Sequence, residues 1–94
     1  MTTTTEQRVA AGAALLDQKN PGWRERINVE ELQLWSRFQC ILGQLYGVYE
    51  TGLGALGAYG NDGYNNELDW AIRHGFNGRF RDPLNEAWKR ELAK

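Results

Sequence analysis

The sequence has few of the side chains that hold metals or form disulfides. Cys40 is its only cysteine and His74 its only histidine, so neither has a second residue of its own type. A structural zinc site needs four such ligands, and small secreted domains usually contain several cysteines. We therefore expect no metal, no disulfide and a reducing, cytoplasmic location.

An excess of charge and long apolar runs are also lacking. Eleven Lys and Arg residues against twelve Asp and Glu residues give a net charge of -1, so no overall field attracts the chain to nucleic acid or to an anionic membrane. No apolar stretch approaches the roughly 20 residues of a membrane-spanning helix, and residues 1–6 lack the pattern of a signal peptide. These absences predict a soluble chain with no membrane partner, and they disfavour nucleic acid.

The chain does contain enough apolar residues to build a core. Hydrophobic residues make up 41% of its 94 residues, with four tryptophans, four tyrosines and three phenylalanines. This length accommodates one small domain and is too short for a large enzyme fold with an enclosed cofactor. We expect a single helical domain over residues 1–94, with disorder confined to residues 1–3.

Helix signals mark the first part of the chain. A capping-box pattern at Thr3 and Glu6 predicts a helix over about residues 4–19, ended by Asn20-Pro21-Gly22. Its alanines and Gly12 would let another helix approach closely. A turn after Pro21 would then place Trp23 and Ile27 in the core.

Apolar residues recur every three or four positions from Val29 to Leu56, with Trp35 and Phe38 among them. This period predicts two or three helical segments, broken near Ser36 or Arg37 and again within residues 47–52. A strand over residues 41–50 is the alternative, but its two faces do not alternate cleanly.

The later part of the chain contains a loop followed by two short helices. Residues 59–65 are rich in Gly and Asn and form the most loop-like segment. A helix capped by Asn66 would end at Gly75, and a last helix would have Asp82 as its cap and Pro83 at its first position. The predicted fold is therefore mostly α, a single small domain of four to six short helices with a Gly/Asn-rich loop.

Two glycine motifs predict packing more strongly than ligand binding. Residues 52–57 match G-x-G-x-x-G, but a helical pattern precedes them and too little chain follows for a dinucleotide-binding sheet. We expect no cofactor there. Gly43 and Gly47 have the small-x-x-x-small spacing, which predicts contact with the first helix; formation of a homodimer through that face is the alternative.

One catalytic pair can be assembled from the sequence. Cys40 with His74 would be a nucleophile and its base. Cys40, however, stands between Phe38 and Ile41 in an apolar run, where a cysteine is usually a small buried hydrophobe. We therefore predict no enzymatic activity and no catalytic residues.

A cluster of arginine and aromatic residues lies within residues 70–81. Arg with aromatic side chains is typical of protein-interface hot spots and also stacks on nucleobases. We predict contact with a protein partner through Arg73, Phe76, Arg79, Phe80 and Arg81. Two alternatives remain open: the aromatics enter the core while the arginines pair with nearby acids, or a small helical module binds nucleic acid through the arginines.

Several segments together resemble a known pattern. They are ALLD at 14–17, PGW at 21–23, CILGQLYG at 40–47 and HGF at 74–76, of which the third is the most specific. This combination resembles a family of short uncharacterised proteins from actinobacteria and their phages. The resemblance implies a small intracellular accessory protein, made in the host cytoplasm if phage-encoded, and it assigns no catalytic residues.

Overall fold

The computed structural model describes residues 4–57, 67–77 and 81–94, apart from the side chains of 67–69 and 81–82. These ranges contain five α-helices, two short 3-10 turns and no strand. The helices are α1 (Thr5–Lys19), α2 (Ile41–Tyr46), α3 (Tyr49–Leu56), α4 (Glu67–Arg73) and α5 (Arg81–Leu92), and the 3-10 turns are Trp23–Arg26 and Val29–Glu31. The prediction of a small, mostly helical fold is confirmed, and residues 41–50 are not a strand. None of the described helices has both the length and the apolar character needed to cross a membrane.

Helix α1 begins with a capping box one residue later than predicted. The Thr4 hydroxyl accepts a hydrogen bond from the Gln7 backbone N–H at 3.1 Å, and the Gln7 side-chain oxygen accepts from the Thr4 N–H at 2.9 Å. The predicted Thr3–Glu6 pair was therefore wrong by one position, because the Gln7 amide can accept this hydrogen bond as well as a carboxylate can.

The glycine in α1 permits a very close backbone approach, as predicted. A Cβ added at Gly12 would lie 2.1 Å from the carbonyl oxygen of His74, in the turn that follows α4. Gly75 completes this turn with φ +72, a conformation that favours glycine. The contact holds the end of α4 against α1 beside the buried Val9.

Aromatic side chains form the centre of the core. Trp23 and Trp88 are fully buried and meet edge to face, with ring centroids 5.9 Å apart. The Trp88 ring also stacks on Phe76 at 5.6 Å, and its indole N–H donates to the Gly75 carbonyl at 2.6 Å. Burial of Trp23 and of Ile27 confirms the prediction for the segment after Pro21.

Glycines separate and terminate α2 and α3. Helix α2 ends at Gly47 (φ +96), α3 starts after Val48, and Gly57 (φ +98) ends α3. This confirms the predicted break. The G-x-G-x-x-G residues lie in α3 and its end, and Gly52 packs so closely on α2 that an added Cβ would be 2.6 Å from the Leu42 Cβ. The motif therefore serves helix packing.

The predicted contact of the Gly43 and Gly47 face with the first helix is wrong. A Cβ on Gly43 would meet the backbone of Arg37 and Phe38, the nearest atom being 2.4 Å away. Gly47 is exposed at the end of α2, with open space around it. Gly43 is thus covered by the backbone of its own chain, so Gly43 and Gly47 do not form the open small-residue face that the homodimer alternative needs.

Two other expectations concern helix ends. Helix α5 begins at Arg81, so Asp82 lies inside the first turn and is not the N-cap. The expected cap at Asn66 and the loop at residues 59–65 lie outside the described residues.

Candidate functional site

Residues 28–39 form a loop whose two ends are joined by one side chain, and we call them the 28–39 loop. The Gln44 side-chain oxygen accepts from the Asn28 N–H at 2.6 Å. Its amide nitrogen donates to the carbonyls of Asn28 at 3.2 Å and of Gln39 at 3.0 Å. A twelve-residue segment with adjoining ends is an Ω-loop, a class of loop that is frequently functional.

This segment was predicted to be helical, and only its first turn is. The 3-10 turn Val29–Glu31, capped by Asn28, is followed by turns up to Gln39. The Ser36 hydroxyl accepts from the backbone N–H of Phe38 at 3.3 Å and of Gln39 at 3.2 Å. Such local side-chain bonds compete with helix formation, which explains why the segment does not continue as a helix.

The backbone of the 28–39 loop is also fixed between its ends. Leu32 is buried in the core, and the Leu34 N–H donates to the side-chain oxygen of Asn85 at 3.1 Å. Asn85 is the one buried polar or charged residue among those whose side chains are described. The carbonyl of Arg37 accepts from the Tyr49 N–H at 2.8 Å. The loop is therefore held against α2, α3 and α5 at separate points.

The side chains of this fixed loop include large apolar groups that face solvent. Val29 is 38% exposed, Trp35 46% and Phe38 60%. Every other large hydrophobic side chain that the structure describes is more buried than these three. Single exposed hydrophobics need no explanation, and the presence of three on one twelve-residue segment makes this segment the candidate interaction site.

A cleft of about 210 Å³ lies beside Trp35. Among its lining residues, Cys40, Phe76 and Leu84 are buried and form its floor, while Trp35 and Arg37 are exposed and form its rim. Pockets for drug-sized ligands occupy about 300–1,000 Å³, and an engineered apolar cavity of about 150 Å³ holds one benzene. The cleft therefore has room for one large apolar side chain.

One of the three charged residues of the 28–39 loop forms a salt bridge within the described part of the chain, and the other two do not. Arg37 forms an ion pair with Glu50 of α3, and its guanidinium lies 5.9 Å from the Phe38 ring centroid. Glu30 and Glu31 are exposed and form no salt bridge within the described part of the chain. With Arg37 already paired, the loop presents two carboxylates to solvent.

Cys40 is a structural residue at the floor of the cleft. Its sulfur caps α2 by accepting from the Gly43 N–H at 3.2 Å. Burial raises the pKa of the thiol above its ordinary value, so the group stays protonated at neutral pH. A protonated thiol is a poor nucleophile, which weakens the case for a Cys40–His74 catalytic pair.

His74 is engaged by the aromatic residues of the core. Its Nδ1 lies 2.8 Å from the Trp70 carbonyl oxygen, and its ring stacks on Trp70 with centroids 4.3 Å apart. Within the described residues, no group of three or more His, Cys, Asp and Glu side chains could hold a metal ion.

The partner surface predicted at residues 73–81 is only partly described. Phe76 is 1% exposed and stacks between Trp70 and Trp88, so its inclusion in an accessible surface was wrong. The alternative in which aromatics enter the core holds for Trp70 and Phe76. Arg73 is exposed; Arg79, Phe80 and the side chain of Arg81 lie outside the described residues.

Trp35 and Phe38 are the residues that sequence reasoning missed. Their spacing fitted a helical period, so both were counted with the other apolar residues of that segment and neither was predicted to be exposed. The helix break predicted near Ser36 or Arg37 was the signal that could have indicated their exposure, because apolar residues beside a break need not face the core.

Comparison with protein-family models, curated proteins and solved structures finds no significant match. The features of the chain that bear on function are therefore the geometry of the 28–39 loop and its cleft.

Proposed function

We propose that this chain is a small non-enzymatic binding protein that attaches noncovalently to a protein partner through the 28–39 loop. The observation that carries the proposal is the exposure of Trp35 and Phe38 on a backbone held by Gln44, Asn85 and Tyr49. Aromatic residues dominate the binding energy of protein interfaces. A fixed backbone lowers the entropy lost when they bind.

The exposed aromatic area is large enough to matter. A Trp or Phe side chain buries about 150–250 Å², so the exposed 46% of Trp35 and 60% of Phe38 amount to roughly 200 Å². At about 25 cal/mol per Å², covering that area contributes roughly 5 kcal/mol before the costs of association. A contribution of this size suits a small interface with one central anchor side chain.

The setting proposed for this binding comes from the resemblance described above. It is that of an intracellular accessory protein, phage-encoded or phage-related, acting on a protein of an actinobacterial host. The small cleft and the protonated Cys40 thiol support a role without catalysis or a cofactor. Nucleic-acid binding through the arginines of residues 73–81 is the second candidate from the sequence. At the 28–39 loop, the exposed carboxylates of Glu30 and Glu31 would repel the phosphates of a nucleic acid.

The test is capture of partners from a host lysate by the tagged chain and by two double variants. Trp35→Ser with Phe38→Ser removes the exposed aromatics, whereas Trp35→Phe with Phe38→Leu keeps them apolar. We expect the proteins retained by the wild type to be lost with the first variant and kept with the second, with circular dichroism showing that both remain folded.

A second arm tests the surface first predicted from the sequence. If Arg79→Glu with Arg81→Glu abolishes capture while the serine variant retains it, the 28–39 loop is not the binding surface. Identical partner lists for the wild type and the serine variant would contradict the proposal in the same way.

A further inference from the structure

Building on the proposed function, we infer that the 28–39 loop recognises a cationic peptide segment that carries one large apolar side chain. Three properties of the site support this: uncompensated carboxylates, a cleft of limited size, and a charge arrangement that disfavours other occupants.

The first property is the charge left on the loop after its own ion pair is formed. Arg37 is paired with Glu50, so the charged groups of the loop without a salt bridge in the described part of the chain are the carboxylates of Glu30 and Glu31. The nearest cation in sequence, Arg26, donates to the side-chain oxygen of Asn20 at the end of α1. Lys or Arg side chains of a partner would complement the two carboxylates and steer its approach.

The second property is the cleft next to Trp35. Its volume of about 210 Å³ and its floor of Cys40, Phe76 and Leu84 suit a single aromatic or large aliphatic group. Trp35 on the rim can cover that group once it is inserted. A buried anchor surrounded by polar or charged contacts is the usual arrangement of an interface hot spot.

The third property is the repulsion of other occupants. A nucleic acid or an anionic membrane would bring phosphates against Glu30 and Glu31. A second copy of this chain, docked by twofold symmetry through the same patch, would place four carboxylates in one interface, since such an interface uses the same surface on both copies. A cationic peptide meets neither penalty.

The experiment begins with a random twelve-residue peptide library displayed on phage and selected on the immobilised full chain. Parallel selection on the Trp35→Ser/Phe38→Ser variant identifies peptides that bind elsewhere. We expect peptides specific to the wild type to be enriched in Lys and Arg flanking a Leu, Phe or Trp.

One enriched peptide is then synthesised and titrated against charge variants of the chain. Glu30→Gln and Glu31→Gln should each weaken binding about 1.5- to 5-fold at low salt, and the double variant about 2- to 25-fold. Glu6→Gln is the matched control and should leave the affinity unchanged. Glu6 is an exposed carboxylate in the first turn of α1, outside the 28–39 loop, and it pairs with Arg90 of α5. The effect of the loop variants should shrink in 0.5 M salt because exposed charges are screened.

The outcomes separate this inference from the proposed function. If the selected peptides require Trp35 and Phe38 but show no excess of positive charge, or if Glu30→Gln/Glu31→Gln binds as well as the wild type, the inference is wrong and the proposed function stands. If the wild type selects nothing that the serine variant does not, both are wrong.

Discussion

Removing the Gln44 side chain should loosen the 28–39 loop without disturbing the core. In Gln44→Ala, three hydrogen bonds to Asn28 and Gln39 are lost. A hydrogen bond contributes about 0.5–1.5 kcal/mol net, and those near solvent lie at the lower end. Together they are worth roughly 1.5–3 kcal/mol, reduced by a few tenths because alanine favours helix α2. We expect the free energy of unfolding to fall by about 1–2.5 kcal/mol.

Two measurements check this expectation. Urea unfolding followed by circular dichroism gives the change in stability, which corresponds to a drop in Tm of about 4–8 °C per kcal/mol for a domain of this size. Amide hydrogen exchange gives the local effect, because the Asn28 N–H loses its acceptor and should exchange at least about fivefold faster. Binding of a selected peptide should weaken as well, since the loop would be less preorganised.

The matched control is Gln18→Ala, which truncates an exposed glutamine of α1 and should change stability by less than about 0.5 kcal/mol. If Gln44→Ala is as stable as Gln18→Ala and the Asn28 amide keeps its exchange rate, Gln44 does not hold the loop and the argument for a fixed binding surface fails.

Three further predictions follow from the same structure. Gly12→Ala should destabilise the fold by about 1–3 kcal/mol despite its gain in helix propensity, because its Cβ would lie 2.1 Å from the His74 carbonyl oxygen; stability equal to or above that of the wild type in thermal unfolding would contradict the close approach. Phe38→Ser should change stability by less than about 0.5 kcal/mol, whereas Leu32→Ala should cost about 2–5 kcal/mol; similar losses in urea unfolding would contradict the assigned exposures. Because the pKa of Cys40 is raised in the folded state, its unfolded thiol ionises first, and this contribution to stability should be present below about pH 8.5 and decline at higher pH; a decline equally steep in Cys40→Ala would show that other groups cause it.

Local signals in the sequence were sufficient for most of the helical fold. The apolar stripe of α1, the glycine ends of α2 and α3, and burial of Trp23 and Ile27 after Pro21 all follow from spacing and turn chemistry. Gly12 was assigned a close approach, although the approaching group is a carbonyl in the turn after α4 and could not be named from sequence.

The candidate site was much harder to predict because it depends on contacts between distant residues. Val29, Trp35 and Phe38 fit a helical period in the sequence. The hydrogen bonds to the Ser36 hydroxyl and to the Gln44 side chain, which hold the segment as a loop, are seen only in the structure. The Asn85 side chain, 51 positions from Leu34, helps to fix the loop. No local pattern encodes such a bond. The arginine and aromatic cluster at residues 73–81 was given a surface role from composition alone, and burial of Phe76 removes one of its members.

The exposure of Trp35 is the property on which the account depends, and quenching of tryptophan fluorescence by acrylamide measures it directly. Trp23, Trp70 and Trp88 are at most 3% exposed, whereas Trp35 is 46% exposed. The wild type should therefore show one readily quenched fraction of emission, and Trp35→Phe should remove it. Equal quenching of the wild type and Trp35→Phe would mean that Trp35 is buried in solution and that the 28–39 loop does not present a binding surface.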